Sequence, residues 1–307
     1  MKVFLAMFVL LFSTLVNANE LNNVVVFGDS LSDNGNLYED MHHRIPQSPP
    51  YYEGRFTNGP VWIEQLTNSY FPNQVKSHLL DYAFGGAAIS DNTDDDDILY
   101  TLNREIKTYL IGNDNKASGQ SLFVIWIGGN NYLALPEDEV EANRIVVNGI
   151  TQGIERLVKA GAQHILLLNL PDLGKGPAAR QLNAEEKLTR LSKRHNELLG
   201  GSLKELKIKY PHVQFLYFDT DRAVNKLLDS PAEYGFTNTL DTCYDVLIDE
   251  VSKKSTLLMA AKAAKIDTTC EGYLFFDPVH PTTVAHRLIA DEVRAMLDSS
   301  QVKFKTK

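Results

Sequence analysis

Cysteine is nearly absent from this sequence. Its 307 residues hold two, Cys243 and Cys270, so neither a disulfide-dense scaffold nor a Cys-rich metal cage can be built from it. The pentapeptide Gly-x-Ser-x-Gly does not occur, which removes the nucleophile elbow of the α/β-hydrolase fold. No phosphate-binding loop or dinucleotide fingerprint appears, and no cofactor signature of any kind. Positive charge is in deficit: 30 Lys and Arg face 39 Asp and Glu, a net charge of −9 with a pI near 5.4. That balance argues against general affinity for nucleic acid and against docking on anionic lipid, while neutral or zwitterionic substrates stay open. Asp91 to Asp97 holds five acids in seven residues but lacks the alternating ligands and central glycine of a calcium loop, so a solvated loop is expected. His42, His43, His164, His195 and His212 lack carboxylates at metal spacing and are expected on surfaces or helix faces. Past the N-terminus no run approaches the ~20 apolar residues needed to span a bilayer.

The N-terminus itself is apolar. Lys2, the stretch Val3–Val16 and small residues around Ala18 read as a secretory signal over residues 1–18, leaving 19–307 as one exported domain. Removing Lys2 with it would take the net charge from −9 to −9 − 1 = −10. In an oxidising compartment Cys243 and Cys270 read as one disulfide, worth roughly 3 kcal/mol through the loop it closes. Hydrophobic residues make up 44% of the chain, enough for a large core without staples.

Four short runs are apolar nearly throughout, Val24–Phe27, Leu122–Ile127, Ile165–Leu170 and Val213–Phe218, as strands buried on both faces of a parallel sheet require. Gln74–Tyr82 is a weaker fifth. Helical periodicity fills Pro60–Tyr70, Glu137–Ala160, Ala184–Lys209, Arg222–Leu228 and Pro281–Leu297, with Pro60 and Pro281 expected at first helical positions. Alternation on this scale predicts an α/β fold with helices on both faces of the sheet and a site at the carboxyl ends of the strands. The polar motifs fall there: Gly28-Asp29-Ser30, Gly128-Gly129-Asn130-Asn131 and Pro171-Asp172-Leu173-Gly174 each follow a strand run.

Serine hydrolysis needs a nucleophile, a base, an orienting carboxylate and donors for the oxyanion. Ser30 leaves a buried strand in a glycine turn, although Gly-Asp-Ser alone also suits an ordinary turn or helix cap. Asp277-Pro278-Val279-His280-Pro281 places a carboxylate three residues before a histidine in a proline-stiffened loop. Together these make Ser30, Asp277 and His280 a candidate triad, with His286 as the rival base. Tyr82-Ala83-Phe84-Gly85-Gly86-Ala87 and Asn130 can supply oxyanion donors, or simply a tight connection and a left-handed turn. The stretch Thr242–Gly272 is expected to form a lid beside the site.

In ordered blocks the sequence resembles the GDSL (SGNH) hydrolases. The blocks are Val26 to Asn36, Gly54 to Trp62, Tyr82 to Ala87, Gly128 to Asn131, Asn169 to Lys175 and Asp277 to His280. The resemblance implies a flavodoxin-like three-layer α/β/α sandwich of about five parallel strands. It implies Ser30 as nucleophile, Asp277 and His280 completing the triad, and Ser30, Gly86 and Asn130 as oxyanion donors. Asp81 departs from the Asn often found before the glycine block, which leaves Gly85 as an alternative to Gly86. Within the family the chain is most similar to secreted bacterial lysophospholipase A proteins. That implies hydrolysis of a lysophospholipid or other lipid ester through an acyl-serine, with acyl transfer as a side reaction, peripheral contact with membrane lipid and no cofactor. A carbohydrate O-acetyl esterase and a non-catalytic lipid- or sugar-binding protein are the alternatives.

Overall fold

The computed structural model describes residues 20–90, 100–245 and 269–305. The expected signal over residues 1–18, the acidic run Asp91–Asp97 and most of the expected lid (246–268) lie outside the described residues.

Five strands form one parallel sheet: β1 (Asn23–Gly28), β2 (Leu79–Asp81), β3 (Ser121–Trp126), β4 (His164–Leu168) and β5 (Gln214–Phe218). Their spatial order is β2-β1-β3-β4-β5, the doubly wound flavodoxin-like order. The connection from β1 runs to one edge, while those after β2 run the other way. The topological switch therefore lies between β1 and β3, which pair from Asn23–Ser121 to Gly28–Trp126. Val24 to Phe27 and Leu122 to Ile125 are all essentially inaccessible, since helices cover both faces.

The helices, in chain order, are α1 (Asn36–Asp40), α2 (Trp62–Tyr70), α3 (Val75–His78), α4 (Leu102–Gly112), α5 (Gly129–Leu133), α6 (Glu139–Ala160), α7 (Pro177–Gln181), α8 (Glu185–Lys209), α9 (Thr220–Asp229) and α10 (Thr283–Ser299). α4, α6 and α8 pack side by side in one layer, and α10 packs on α2 and α9 in the other. A parallel pair, β6 (Asn238–Thr242) and β7 (Tyr273–Phe275), stands apart from the main sheet.

Three expectations are corrected. Gln74–Tyr82 is a strand only from Leu79, because Val75–His78 makes one helical turn first. Pro60 and Pro281 precede their helices by two residues and are not first helical positions. Thr282 N–H is bonded to Leu274 O and Pro281 bridges to Phe275, which keeps that entry extended; on α2, Glu64 accepts the N–H of the extended cap Val61 (3.0 Å). Helix α4 carried no expectation; Thr101 caps it by accepting from Arg104 N–H at 3.2 Å.

Gly28 ends β1 where no side chain fits: a Cβ there would lie 2.4 Å from Trp126 O of β3. Gly28→Ala must part the two central strands. It is expected to lower stability by about 1–3 kcal/mol in urea unfolding and to displace the turn that follows.

Candidate active site

The turn after β1 is tied to its own first residue. Asp29 accepts Ser32 N–H (2.9 Å) and Asp33 N–H (3.0 Å) on its carbonyl, and Leu31 N–H (3.0 Å) on its carboxyl. Ser30 N–H is left without an acceptor among the described residues, and its hydroxyl meets His280 Nε2 at 2.7 Å. On the other ring edge, His280 Nδ1 lies 2.8 and 2.7 Å from the two oxygens of Asp277. The Asp277 loop closes on itself: Oδ1 accepts Val279 and His280 N–H (both 2.8 Å), and His280 O accepts Phe276 N–H (2.8 Å). Oδ2 accepts the hydroxyl of Tyr51 at 2.7 Å, a partner no sequence pattern announced.

The block from Gly54 to Trp62 fastens this C-terminal loop to the N-terminal half. Phe56 packs on the His280 ring (5.2 Å between centroids) and Thr57 donates to Pro281 O (2.8 Å). Asn58 accepts Thr283 N–H at 2.9 Å, and Trp62 donates to Ser32 Oγ at 3.0 Å. The rival base is accounted for here. His286 is buried on α10, accepts Trp62 N–H on Nδ1 (3.2 Å), and burial pushes its pKa down to about 3. His195 lies on a helix as expected, but on its buried face, under the Gly128 turn and bonded to Tyr132 (2.9 Å), so burial holds it neutral too.

The two glycines before Ala87 have different roles. Gly85 N–H is committed to Asp33 (2.7 Å) and Ala87 N–H to Phe84 O (3.0 Å), whereas Gly86 N–H has no acceptor among the described residues. Gly86 has φ +78°, a left-handed conformation that favours glycine. Asn130, leaving β3 on α5, donates one amide N–H to Ala87 O (2.8 Å), and Asn131 bonds Ile89 at both its N–H (2.9 Å) and O (2.8 Å). The glycine turn and the Asn130 turn are thus stitched together next to Ser30. The N–H groups of Ser30 and Gly86 and the second amide N–H of Asn130 are left without an acceptor among the described residues.

Beneath these turns lie three buried carboxyls, Asp29, Asp33 and Glu105, and the half-buried Asp81. Asp33 accepts four backbone N–H groups, from Gly35, Asn36, Leu37 and Gly85. Asp81 accepts Asn34 N–H (3.2 Å) and Ala83 N–H (2.8 Å), so its place in the glycine block is structural. Glu105 on α4 accepts Gly28 N–H at 2.9 Å. Burial raises Asp29 and Asp33 to about 6 and takes Asp81 and Glu105 well above the usual carboxylate range. Asp277 goes the other way. Burial pushes it up too, but the charge and hydrogen bond of His280, with those from Tyr51 and Val279, outweigh that and hold it below its ordinary value.

From Ser30 an open cleft of about 110 Å³ runs beneath the Pro171–Gly176 loop and between α9 and α10. Leu31, Leu133, Leu170, Val224, Leu227 and Ile289 give it walls that are mostly apolar. Asp172 braces that loop by accepting Gly174 N–H (3.0 Å) and the hydroxyl of Thr189 (2.7 Å). Cys243 and Cys270 are joined in a disulfide with their Cα atoms 5.6 Å apart.

A flavodoxin-like sheet with serine, histidine and carboxylate bonded in sequence at its switch point defines a hydrolase of the serine type. The chain belongs to the GDSL-like lipase/acylhydrolase family, whose model matches residues 24–293, and it is a carboxylic ester hydrolase. It is 33% identical to the phosphatidylcholine-sterol acyltransferase of Aeromonas hydrophila, over 91% of this chain and 90% of that one. The secreted effector protein SseJ of Salmonella typhimurium is 30% identical over 90% of this chain, and the thermolabile hemolysin of Vibrio parahaemolyticus 29% over 92%. Of those two longer proteins the chain spans 63% and 64%. The carbohydrate acetylesterase Est24 of Sinorhizobium meliloti shares the fold, with a TM-score of 0.51 at 12% identity over 91% of this chain and 99% of that one.

The buried carboxyls set an expectation for stability against pH. A carboxyl whose pKa is higher folded than unfolded holds more protons in the native state, so stability falls as pH rises between the two values. For Asp29 and Asp33 that window runs from 3.8 to about 6. Each shift of this size corresponds to roughly 3 kcal/mol between the two ends of the window. Asp29→Asn keeps the acceptor for Leu31 N–H. In urea unfolding at pH 4 to 7 it is expected to lose about 2–3 kcal/mol of that slope.

Proposed function

We propose that this chain is an exported esterase, a single domain over residues 19–307, that cleaves the acyl ester of lysophospholipids and related lipid esters. The observation that carries the reading is the apolar cleft opening at Ser30. An acetyl esterase needs a small polar acyl pocket, whereas a fatty acyl chain needs walls like those of Leu133, Val224, Leu227 and Ile289. The names of two relatives, an acyltransferase acting on phosphatidylcholine and a hemolysin, support lipid over sugar; the acetylesterase likeness extends to fold alone. Support for export comes from the apolar N-terminus, the disulfide and a relative named a secreted effector. Val279, 42% exposed beside His280 at the mouth of the cleft, would contact lipid as substrate is drawn from a membrane surface.

In the proposed mechanism Ser30 Oγ attacks the acyl carbon while His280 Nε2 takes its proton. Asp277 holds Nδ1–H and stabilises the imidazolium. The oxyanion is received by the N–H groups of Ser30 and Gly86 and the amide of Asn130. His280 returns the proton to the departing glycerophosphodiester alcohol, leaving acyl-Ser30 in the cleft. Water, activated by the same histidine, then releases the fatty acid. An alcohol in the place of that water would make the same intermediate an acyl donor, which is the second reading that the acyltransferase relative favours. A binding-only protein would have no need of the 2.7 Å Ser30–His280 contact.

Fatty acid should be released from lysophosphatidylcholine by the parent and not by Ser30→Ala, and kcat/KM should favour palmitoyl over acetyl esters. Leu227→Trp, which fills the cleft, should cut palmitoyl turnover at least ~10-fold while sparing short acyl groups. Deacetylation of sugars with no lipolysis would overturn the lipid reading. Asn130→Ala should lower kcat about 10²–10³-fold.

A further inference from the structure

We infer that Tyr51 is a positioning residue of this site, its hydroxyl holding Asp277 Oδ2 and so setting both the orientation of the carboxylate and the share of its charge that reaches His280. The inference rests on His280 acting as the base for Ser30. Tyr51 belongs to none of the sequence blocks and lies 226 residues from Asp277, yet it donates at 2.7 Å to the same oxygen that meets His280 Nδ1 at 2.7 Å. The other carboxylate oxygen is occupied by two backbone N–H groups of its own loop, so Tyr51 is the one side chain from elsewhere among the described residues that bonds Asp277.

The hydroxyl is held firmly. The ring of Tyr51 meets Phe276 edge-on at 5.1 Å and lies 5.4 Å from Tyr244 and 6.1 Å from Phe56, which itself packs on His280. Phe276, Tyr51 and Tyr244 form one cluster with the Cys243–Cys270 disulfide, and Tyr244 N–H donates to Phe276 O at 2.7 Å. From behind, Tyr51 O accepts the hydroxyl of Ser48, whose Oγ accepts Gly54 N–H at 3.1 Å. The bridge, the tyrosine and the Asp277 loop are therefore packed as one cluster. Burial and the facing carboxylate raise the phenol well above its ordinary value, so it remains a donor throughout the working range.

A donor on Oδ2 draws off part of the carboxylate's charge. Without it more of that charge stabilises protonated His280, and a histidine that holds its proton more tightly fails as a base at a higher pH. Other groups facing the pair are Asp29 on the nucleophile turn and His286 on α10; Tyr244 and Asp245 lie beyond Tyr51. All are retained in Tyr51→Phe, which also keeps the ring packing.

The test is the pH profile of kcat/KM for a soluble ester, with the pH dependence of fluorophosphonate labelling of Ser30 as a second readout. In Tyr51→Phe the acid limb of both should move up by about half to one pH unit. kcat should fall roughly 5- to 20-fold with KM within about twofold and the thermal midpoint nearly unchanged, as expected when a transition-state contact is lost. An acid limb at the parent's pH, whatever the value of kcat, overturns the inference. Ser30→Ala runs alongside: activity surviving in it overturns the triad reading and the inference together, while its loss with an unmoved Tyr51→Phe limb overturns the inference alone.

Discussion

The contact between Ser30 and His280 spans 250 residues of chain, and much of the architecture exists to make it possible. Ser30 is placed by β1, the second strand from the edge, where strand order reverses and no helix connection crosses the carboxyl edge. His280 comes from a loop after the last strand, with no place of its own in the main sheet. The block from Gly54 to Trp62 bridges the two, contacting Ser32 on one side and Pro281, Thr283 and His286 on the other. Its residues do no chemistry; they add to the ties from β7, Tyr51 and Tyr244 that hold the histidine loop.

The glycine turn is bound to the nucleophile turn by buried carboxyls, and the choice has an electrostatic consequence. A backbone N–H can be oriented by any acceptor, and a carboxyl with two oxygens can take four, as Asp33 does. Gathering Asp29, Asp33, Asp81 and Glu105 in one dry region raises all four, so that part of the framework favours protonation. Asp277 lies in comparable burial but faces a histidine and a tyrosine hydroxyl, and stays ionised. Carboxyls that hold the backbone and the carboxylate that faces the base are separated by their neighbours, not by their depth.

The strands were legible because burial on both faces writes an unbroken apolar run, and β1, β3, β4 and β5 fell within two residues of expectation. Ser30, Asp277, His280 and Asn130 were legible because each lies in a short motif immediately after a strand or before a helix, and the structure brings all four together. Tyr51 was not, since Pro49-Pro50-Tyr51-Tyr52 has no periodicity and its partner is 226 residues away. Glu105 was missed for a related reason: on a helix a polar residue reads as solvent-facing unless its tertiary partner is known. The proline positions failed because sequence marks where a helix could begin, while backbone bonds from β7 to Thr282 decide where it does begin.

The triad and the cleft walls lie on different parts of the chain. The bond-making groups surround the ends of β1 and β3, whereas the cleft walls come largely from the loop after β4 and from α9 and α10. On the proposed reading, acyl selectivity would then be graded. Apolar walls discriminate by about 0.8 kcal/mol per buried methylene, so chain-length preference should change in steps as Val224, Leu227 or Ile289 change size, with the triad untouched. On the same reading the choice between water and an alcohol as acceptor would not come from those walls, because the acyl chain would occupy them in both cases. On that reading it would fall instead to the groups around His280, where Phe56 packs on its ring.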